Sequence, residues 1–198
     1  MFETFLVWDE ALFRWINTTW ASGAGDAFFV FVTETKTMAV PYLLLIIGIV
    51  VAGKRKGLAA VLLLALVILC CDQFSSFVLK PLVGRVRPCT ALEGVRLLVG
   101  CGGGKSFPSS HAVNNFGAAY LISAFFPRMR APMYALASAV ALSRVYVGVH
   151  YPADVAAGAL IGTGIAALLV LLYDVVQKRI PATPWMPARR TLPVPVAG

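Results

Sequence analysis

Two histidines, His111 and His150, carry the only imidazole groups in the chain, and each stands at the edge of an apolar stretch beside serine and basic residues. Near neutral pH an imidazole can act as a nucleophile, an acid or a base. One such histidine would be explained equally well by a structural role. Two of them, both flanked by cations and serines, favour a shared catalytic function.

The segment from Ser143 to Asp154 reads SRVYVGVHYPAD. Pro152 is well placed as the first residue of a helix, because proline is favoured at that position. Asp154 then lies in the first turn, where it could accept a hydrogen bond from one imidazole nitrogen of His150. Such a bond fixes the tautomer and leaves the other nitrogen as a nucleophile, the logic of a catalytic triad. The alternative is a capping carboxylate beside a solvated histidine.

Two further segments could bind a phosphate. The first, Lys80 to Pro88, reads KPLVGRVRP, and its lysine and arginine side chains together can neutralise a dianion. The second, Phe107 to His111, reads FPSSH directly before an apolar stretch, so a serine could cap a helix whose free N–H groups face an anion. The alternatives are contact with lipid headgroups for the first segment and simple helix capping for the second.

In this order and at these spacings, the three segments resemble the type 2 phosphatidic acid phosphatase superfamily, whose signatures read Lys-x6-Arg-Pro, Pro-Ser-Gly-His and Ser-Arg-x5-His-x3-Asp. The resemblance extends from Lys80 to Asp154, and every charged signature position is matched. Ser110 stands where the family has glycine. Its backbone N–H is still available, so we expect activity to persist, although a left-handed backbone would be disfavoured there.

The resemblance implies a phosphatase that forms a covalent phosphohistidine on His150. Asp154 would orient His150, and His111 would protonate the leaving oxygen. The phosphate oxygens would be bound by Lys80, Arg87, Ser109, Ser110 and Arg144. Fixed cations and N–H dipoles are suited to the charge that spreads over those oxygens during phosphoryl transfer. Asp154 is the only acid in the three segments, so we expect neither a metal ion nor another cofactor.

The surrounding sequence belongs in a membrane, since 59% of the residues are hydrophobic and 13% are charged, with a mean hydropathy of +0.81. Five apolar runs approach or reach the length of about 20 residues that a transmembrane helix needs. We therefore predict an all-α polytopic membrane helix bundle with five transmembrane helices, at residues 38–53, 57–79, 112–126, 131–149 and 155–176.

The first 37 residues show a different pattern, because charged residues interrupt an apolar run at Asp9, Glu10 and Arg14. This pattern predicts an N-terminal amphipathic helix at the membrane interface, with its tryptophans at the headgroup level. A second short interfacial helix is predicted around residues 27–32, and a sixth transmembrane span is the alternative for this region. The apolar positions of the first helix are Phe5, Trp8, Leu12, Trp15 and Ile16.

The cations behind the net charge of +8 divide between the two sides of the predicted bundle. Lysine and arginine are more frequent on the cytoplasmic side of membrane proteins. This bias assigns to the cytoplasm the side that carries nine of the 17 cations: Lys54, Arg55, Lys56, Arg128, Arg130, Lys178, Arg179, Arg189 and Arg190. Six fall on the opposite side, where an anionic ligand such as phosphate would compensate for them: Lys80, Arg85, Arg87, Arg96, Lys105 and Arg144. The site is therefore predicted to face the periplasm or cell exterior from the inner membrane.

The bundle is predicted to be a single phosphatase domain over residues 1–180, followed at 181–198 by a disordered proline-rich cytoplasmic tail. The glycine-rich loop from Cys89 to Lys105 is well placed to cover the site. Cys89 and Cys101 both lie in this loop on the predicted oxidising side. We therefore hypothesise that they form a disulfide.

Small and polar residues inside the predicted spans indicate helix contacts. Gly158, Gly162 and Gly164 suit close packing of the last span against its neighbours. Asp72 and Gln73 are polar groups at membrane depth. An interhelical hydrogen bond is the favoured interpretation of that pair, ahead of a contribution to the catalytic cavity.

The three segments specify a phosphate and leave the rest of the substrate open. We favour undecaprenyl diphosphate, with phosphatidylglycerol phosphate, phosphatidate and a lipid A phosphate as alternatives. The predicted partners are this lipid and membrane lipids, with no nucleic acid, and no oligomeric state is predicted. A vanadium-dependent haloperoxidase is disfavoured because those enzymes are soluble. A lipid or anion transporter is the non-enzyme alternative, but it would not need the pair of His150 and Asp154.

Overall fold

The computed structural model describes residues 2–179, and within that range the chain is almost entirely helical, with no β-strand. Its α-helices are α1 Phe2–Arg14, α2 Gly23–Thr33, α3 Thr35–Gln73, α4 Lys80–Val83, α5 Pro88–Ala91, α6 Ser110–Phe125, α7 Arg130–Tyr146 and α8 Pro152–Arg179. Two π-helical segments, Trp15–Thr19 and Phe74–Leu79, continue α1 and α3. The all-α prediction is therefore confirmed for the part of the chain that the structure describes.

Helix α3 folds back on itself instead of running straight. Lys54 has a φ of 49°, and shortly after it Gly57 lies against the backbone carbonyl of Ile49. Residues eight apart in a straight helix are separated by about 12 Å, so this contact requires the chain to reverse its direction. The two halves of α3 correspond to the first two predicted spans, 38–53 and 57–79.

The core of the bundle lies between α6, α7, α8 and both halves of α3. Helices α6 and α8 approach closely, because Gly158 and Gly162 of α8 lie directly against the backbone of Ser109 and Val113. A Cβ atom at either glycine would displace the neighbouring helix. The packing prediction is confirmed for these two glycines and is wrong for Gly164, which has open space around it.

Among residues 2–179, the basic residues assigned to the cytoplasm gather at one end of the bundle. Lys56 Nζ lies 5.2 Å from the ring centroid of Phe126, just after the end of α6. Near the end of α8, the ring of Tyr173 packs against Phe125 with centroids 5.4 Å apart. The Lys54 turn, the α6–α7 connection and the last turns of α8 therefore share one end, and the three sequence segments lie at the other.

Both helices predicted for the N-terminal region are present in the structure. Helix α1 and the π-helical segment that follows it expose the apolar side chains predicted for the membrane interface, namely Phe5, Trp8, Leu12 and Trp15, and Trp8 is 72% exposed. Ile16 was assigned to the same stripe but is buried with Phe13 against the α7–α8 connection. Helix α2 corresponds to the short helix predicted at 27–32, and Ser22 caps it by accepting the Gly25 N–H at 3.1 Å.

Within the described part of the chain, two segments are long and apolar enough to cross a membrane: Thr35–Ala91, which contains the Lys54 turn, and Pro152–Arg179. Helices α6 and α7 have 16 and 17 residues, slightly less than a full span needs. The outer faces of α3 and α8 are apolar, and Leu160 is 76% exposed. Each predicted span has a helical counterpart, but the number that crosses a bilayer stays a prediction. The tail predicted at 181–198 lies outside the described residues.

Candidate active site

The three sequence segments converge at one end of the bundle. Lys80 of the first segment donates a hydrogen bond to the hydroxyl of Ser110 in the second at 2.7 Å. Arg87 of the first segment lies 3.3 Å from the imidazole of His150 in the third. The N–H of Ser109 donates to the backbone carbonyl of Asp154 at 3.1 Å. Each pair of segments is therefore joined by a direct contact.

His150 lies in the short connection between α7 and α8, and 2% of its surface is exposed. Its Nδ1 atom lies 3.5 Å from Oδ2 of Asp154, which stands in the first turn of α8. Ser106 donates to the same carboxylate oxygen at 2.5 Å and lies 3.4 Å from Nδ1. Oδ2 also accepts the backbone N–H of Tyr151 at 2.9 Å. These contacts hold the carboxylate in a position from which it could orient the imidazole.

The other imidazole nitrogen faces a cation. His150 Nε2 lies 3.3 Å from Arg87, whose guanidinium also donates to the carbonyls of Val149 and Gly104 at 3.4 Å each. If the Nδ1 proton is directed at Asp154, Nε2 carries the lone pair. Burial lowers the pKa of His150 to about 4, with the hydrogen bond to Asp154 opposing this shift and the charge of Arg87 reinforcing it. This lowered pKa favours the neutral imidazole at pH 7.

The start of α6 supplies polar groups beside Lys80. Ser109 is the N-cap residue, and its buried hydroxyl has no hydrogen-bond partner in the described structure. The hydroxyl of Ser110 accepts the bond from Lys80 and lies 3.3 Å from Ser75. A buried hydroxyl without a partner costs free energy, and an anion oxygen that accepted a hydrogen bond from Ser109 would remove this cost. The first N–H groups of the 16-residue helix add to this site.

Arg144, near the end of α7, is a buried cation with one nitrogen unpaired. It donates to Thr33 Oγ1 at 2.5 Å, whereas its Nε atom has no partner among the described residues. Its backbone carbonyl accepts the N–H of His150 at 3.1 Å, which ties the α7–α8 connection to α7. Arg144 also lies close enough to Arg87 and His111 for their charges to interact.

Two of the six cations on this side are paired with carboxylates of the protein itself. Arg85 forms ion pairs with Asp154 at 2.8 Å and with Asp9 at 2.5 Å, and Arg96 pairs with Asp26 at 2.7 Å. The expectation that all six cations need an external anion was therefore wrong for Arg85 and Arg96. Within residues 2–179, no three His, Cys, Asp or Glu side chains form a group that could hold a metal ion.

A cavity of about 490 Å³ opens beside the start of α6. His111, the second residue of α6, lines this cavity together with Ser110. Most of its wall consists of apolar side chains from α2, α3, α6 and α7, among them Met38 and Met133. Asp72 also lines the cavity, the interpretation that we favoured less, whereas Gln73 is exposed. The interhelical hydrogen bond stays a prediction.

The loop between α5 and α6 lies over Arg87. A disulfide joins Cys89 to Cys101, which confirms the hypothesis drawn from their positions. Gly102 and Gly104 have φ values of 72° and 90°, a conformation that other residues rarely adopt. The carbonyl of Gly104 accepts the hydrogen bond from Arg87 Nε. The disulfide and the glycines therefore shape a loop that fixes one of the site's cations.

Thiol labelling with maleimide tests the disulfide. In denaturant without reductant, we expect intact mass to show two labels, on Cys70 and Cys71, which are free in the structure. After reduction four labels are expected. Cys89→Ser is the matched control, because it should free Cys101 and give three labels without reductant. Full labelling of Cys89 and Cys101 in the unreduced protein would contradict the disulfide.

The part of the chain that carries these segments matches a known protein family. Residues 58–178 match the family model of the PAP2 superfamily. The chain belongs to the PAP2 superfamily. This membership confirms the resemblance drawn from the three sequence segments, all of which lie inside the matched range.

Two curated relatives and one solved structure are similar to this chain. A protein named Lipid A 4′-phosphatase from Bacteroides thetaiotaomicron is 38% identical over 115 residues, which cover 54% of this chain and 51% of the relative. The Bacitracin transport permease protein BcrC from Bacillus licheniformis is 34% identical over 127 residues, covering 53% of this chain and 62% of the relative. The crystal structure of Aquifex aeolicus LpxE has a TM-score of 0.66 and 28% identity, covering 81% of this chain and 93% of that chain. The matches span between half and two thirds of the length of the two curated relatives.

Proposed function

We propose that this protein is an integral membrane phosphatase that removes phosphate from a lipid-linked phosphate or diphosphate through a phosphohistidine on His150. The observation that carries the proposal is the placement of His150, with Nδ1 beside the Asp154 carboxylate and Nε2 beside the Arg87 guanidinium. A nucleophile that a buried acid orients, and that faces a cation, is suited to attack a phosphate bound by that cation.

The reaction has two steps. First, the Nε2 lone pair of His150 attacks the terminal phosphorus and the bond from phosphorus to the leaving oxygen breaks, while His111 gives that oxygen a proton. The leaving oxygen belongs to the lipid alcohol in a monophosphate and to the lipid phosphate in a diphosphate. Asp154 stabilises the imidazolium that carries the phosphoryl group. Second, water attacks the phosphohistidine, His111 takes a proton from the water, and inorganic phosphate leaves as Nε2 recovers its lone pair.

The cations and the start of α6 bind the phosphate oxygens in this proposal. The buried Ser109 hydroxyl and the Arg144 Nε atom lack partners in the described structure, so an anion would satisfy both. Lys80 is held by the Ser110 hydroxyl, within reach of the same helix start. Arg87 already faces Nε2. Together these groups can neutralise the charge that spreads over the oxygens during phosphoryl transfer.

The cavity beside His111 supports a lipid as the carrier of the phosphate, because its wall is mostly apolar and reaches Met133 of α7. The apolar outer faces of α3 and α8 support five spans in a single inner-membrane domain. The end of the bundle at Lys56 lies away from the end at Arg87. With the first end in the cytoplasm, the site faces the periplasm or cell exterior.

Undecaprenyl diphosphate is our preferred substrate, and phosphatidylglycerol phosphate, phosphatidate and lipid A phosphates are the alternatives. The relative named Lipid A 4′-phosphatase favours the last of these among the alternatives. The permease name of BcrC supports lipid or anion transport as a second candidate function. The ordered pair of His150 and Asp154 favours catalysis over transport, because binding and moving an anion needs cations but no oriented nucleophile.

A substrate panel tests the proposed function. The purified protein should release inorganic phosphate from these lipids in detergent, fastest from undecaprenyl diphosphate, and should keep its rate in EDTA because side chains alone neutralise the phosphate. A colorimetric phosphate assay measures the release. His150→Ala, purified in the same way, corrects for contaminating phosphatases. Loss of activity in EDTA with recovery on adding a divalent cation would contradict the metal-independent mechanism, and no release from any lipid would contradict the phosphatase.

A further inference from the structure

Helix α1 lies outside the range 58–178 that matches the family model, yet it reaches the catalytic residues. Asp9, in the middle of α1, is 6% exposed. Its Oδ2 atom accepts a hydrogen bond from Arg85 at 2.5 Å, and its Oδ1 atom accepts the backbone N–H of Ala153 at 2.8 Å. Both partners adjoin Asp154, the acid that we propose orients the nucleophile.

Arg85 connects Asp9 to Asp154. Its two terminal nitrogens are divided between the carboxylates, because Nη2 donates to Asp9 and Nη1 donates to Asp154 at 2.8 Å. Its Cζ atom lies 3.9 Å from the ring centroid of Tyr151, a stacking contact that restrains the guanidinium. A guanidinium presents its donors in a fixed fork, so anchoring one nitrogen on Asp9 sets the direction of the other.

The buried carboxylate of Asp154 contacts His150 through only one of its two oxygens, so its orientation must be held fixed. Oδ2 lies within contact of His150 Nδ1, Ser106 and the N–H of Tyr151, whereas Oδ1 is held by Arg85. Rotation about the Cβ–Cγ bond would change the direction in which the carboxylate faces the imidazole. Arg85 opposes this rotation while it is itself anchored.

We propose that Asp9 is a positioning residue for the phosphatase reaction: it anchors Arg85, which fixes the Asp154 carboxylate that orients His150. The inference rests on the proposed function, because it assigns Asp9 a part in the same site. The hydrogen bonds of Asp9 in the described structure go to Arg85 and Ala153, away from the phosphate-binding cations. Asp9 therefore affects the chemical step, through Arg85, and not the binding of phosphate.

The substitution Asp9→Asn tests this role, since it keeps an oxygen for the Ala153 N–H and removes the charge that anchors Arg85. We expect kcat for lipid phosphate hydrolysis to fall about 10- to 100-fold, as when a residue that orients a catalytic group is lost. KM should stay within about twofold of the wild-type value, because phosphate binding is untouched. The matched control is Glu10→Gln, a neighbouring carboxylate paired with Arg14, which should keep the wild-type kcat.

The background variant Arg85→Gln tests whether Asp9 acts through Arg85. Adding Asp9→Asn to Arg85→Gln should lower kcat by no more than about twofold further, because the anchored group is already gone. An equal loss in both backgrounds would overturn the proposal, as would a wild-type kcat in Asp9→Asn. If Asp9→Asn does not fold, Asp9→Ser takes its place in the same comparison. A wild-type protein that releases no phosphate would instead contradict the proposed function, and this inference with it.

Discussion

Replacing His150 with alanine is expected to lower phosphate release by about 10⁴-fold or more, because the nucleophile of the first step is lost. The neighbouring contacts of Asp154 with Ser106 and Arg85 do not depend on the imidazole, so the variant should still fold. The measurement is the rate of phosphate release at saturating lipid. Binding of inorganic phosphate, measured by calorimetry, should persist, because Arg87 and the other cations remain.

Trapping the covalent intermediate shows whether His150 itself is the nucleophile. Rapid acid-free quenching of the wild-type enzyme with radiolabelled substrate should trap a phosphoryl group that is stable to alkali and labile to acid, as expected of a phosphohistidine. The chain has two histidines, so the label can reside on His150 or His111 alone. We expect it to vanish in His150→Ala and to remain in His111→Ala. A label that survives in His150→Ala would show that another residue is the nucleophile.

The residues at the centre of the site were accessible to sequence reasoning because the contacts that define them are local. His150 and Asp154 are four residues apart, and Pro152 marks the helix start that places the carboxylate beside the imidazole. Ser109 likewise precedes an apolar run, which predicts its place at the start of α6. Helix starts and short spacings are properties that one sequence can show.

The supporting residues could not be found in the same way, because their contacts join distant parts of the chain. Arg85 is 76 residues from Asp9, and Ser106 is 48 residues from Asp154. Ser106 lies in a loop without any periodic pattern. Asp9 did carry a signal, since it shares a helical face with Phe13 and Ile16 at spacings of four and seven residues. We gave its charge more weight than its position and interpreted it as an interruption.

The division of basic residues between the two sides of the bundle predicted only part of the architecture, because it also depends on contacts between distant residues. The reversal of α3 at Lys54 follows from a cluster of three basic residues between two apolar runs, which is visible in the sequence. The pairing of Arg96 with Asp26 is not visible, because it depends on how α2 packs against the loop. Counting cations on one side therefore overestimates the charge that is left for a ligand.

Replacing His111 with alanine is expected to slow hydrolysis by about 10²- to 10⁴-fold when the leaving group is a lipid alcohol, because an alkoxide needs a proton as it departs. The imidazole lines the mostly apolar cavity beside Ser110, which we propose holds the lipid. Burial lowers the pKa of His111 to about 3, and the nearby charges of Arg144, His150 and Lys80 add to this shift. A bound phosphate dianion would offset those charges and favour the protonated imidazole that an acid requires. The measurement is kcat for phosphatidate, undecaprenyl diphosphate and p-nitrophenyl phosphate.

Comparing substrates whose leaving groups differ in basicity shows whether His111 acts as an acid or only binds the phosphate. If His111 donates the proton, the loss in His111→Ala should be largest for phosphatidate, smaller for the diphosphate, whose leaving group is a weakly basic phosphate, and smallest for p-nitrophenyl phosphate. Ser110→Ala is a matched control on the same helix turn, because it removes a contact of Lys80 without touching the proton donor and should affect all three substrates alike. An equal loss on every substrate in His111→Ala would mean that His111 binds the phosphate and that another group protonates the leaving oxygen. A graded loss would instead show that the start of α6 supplies both an anion site and the acid that completes bond cleavage.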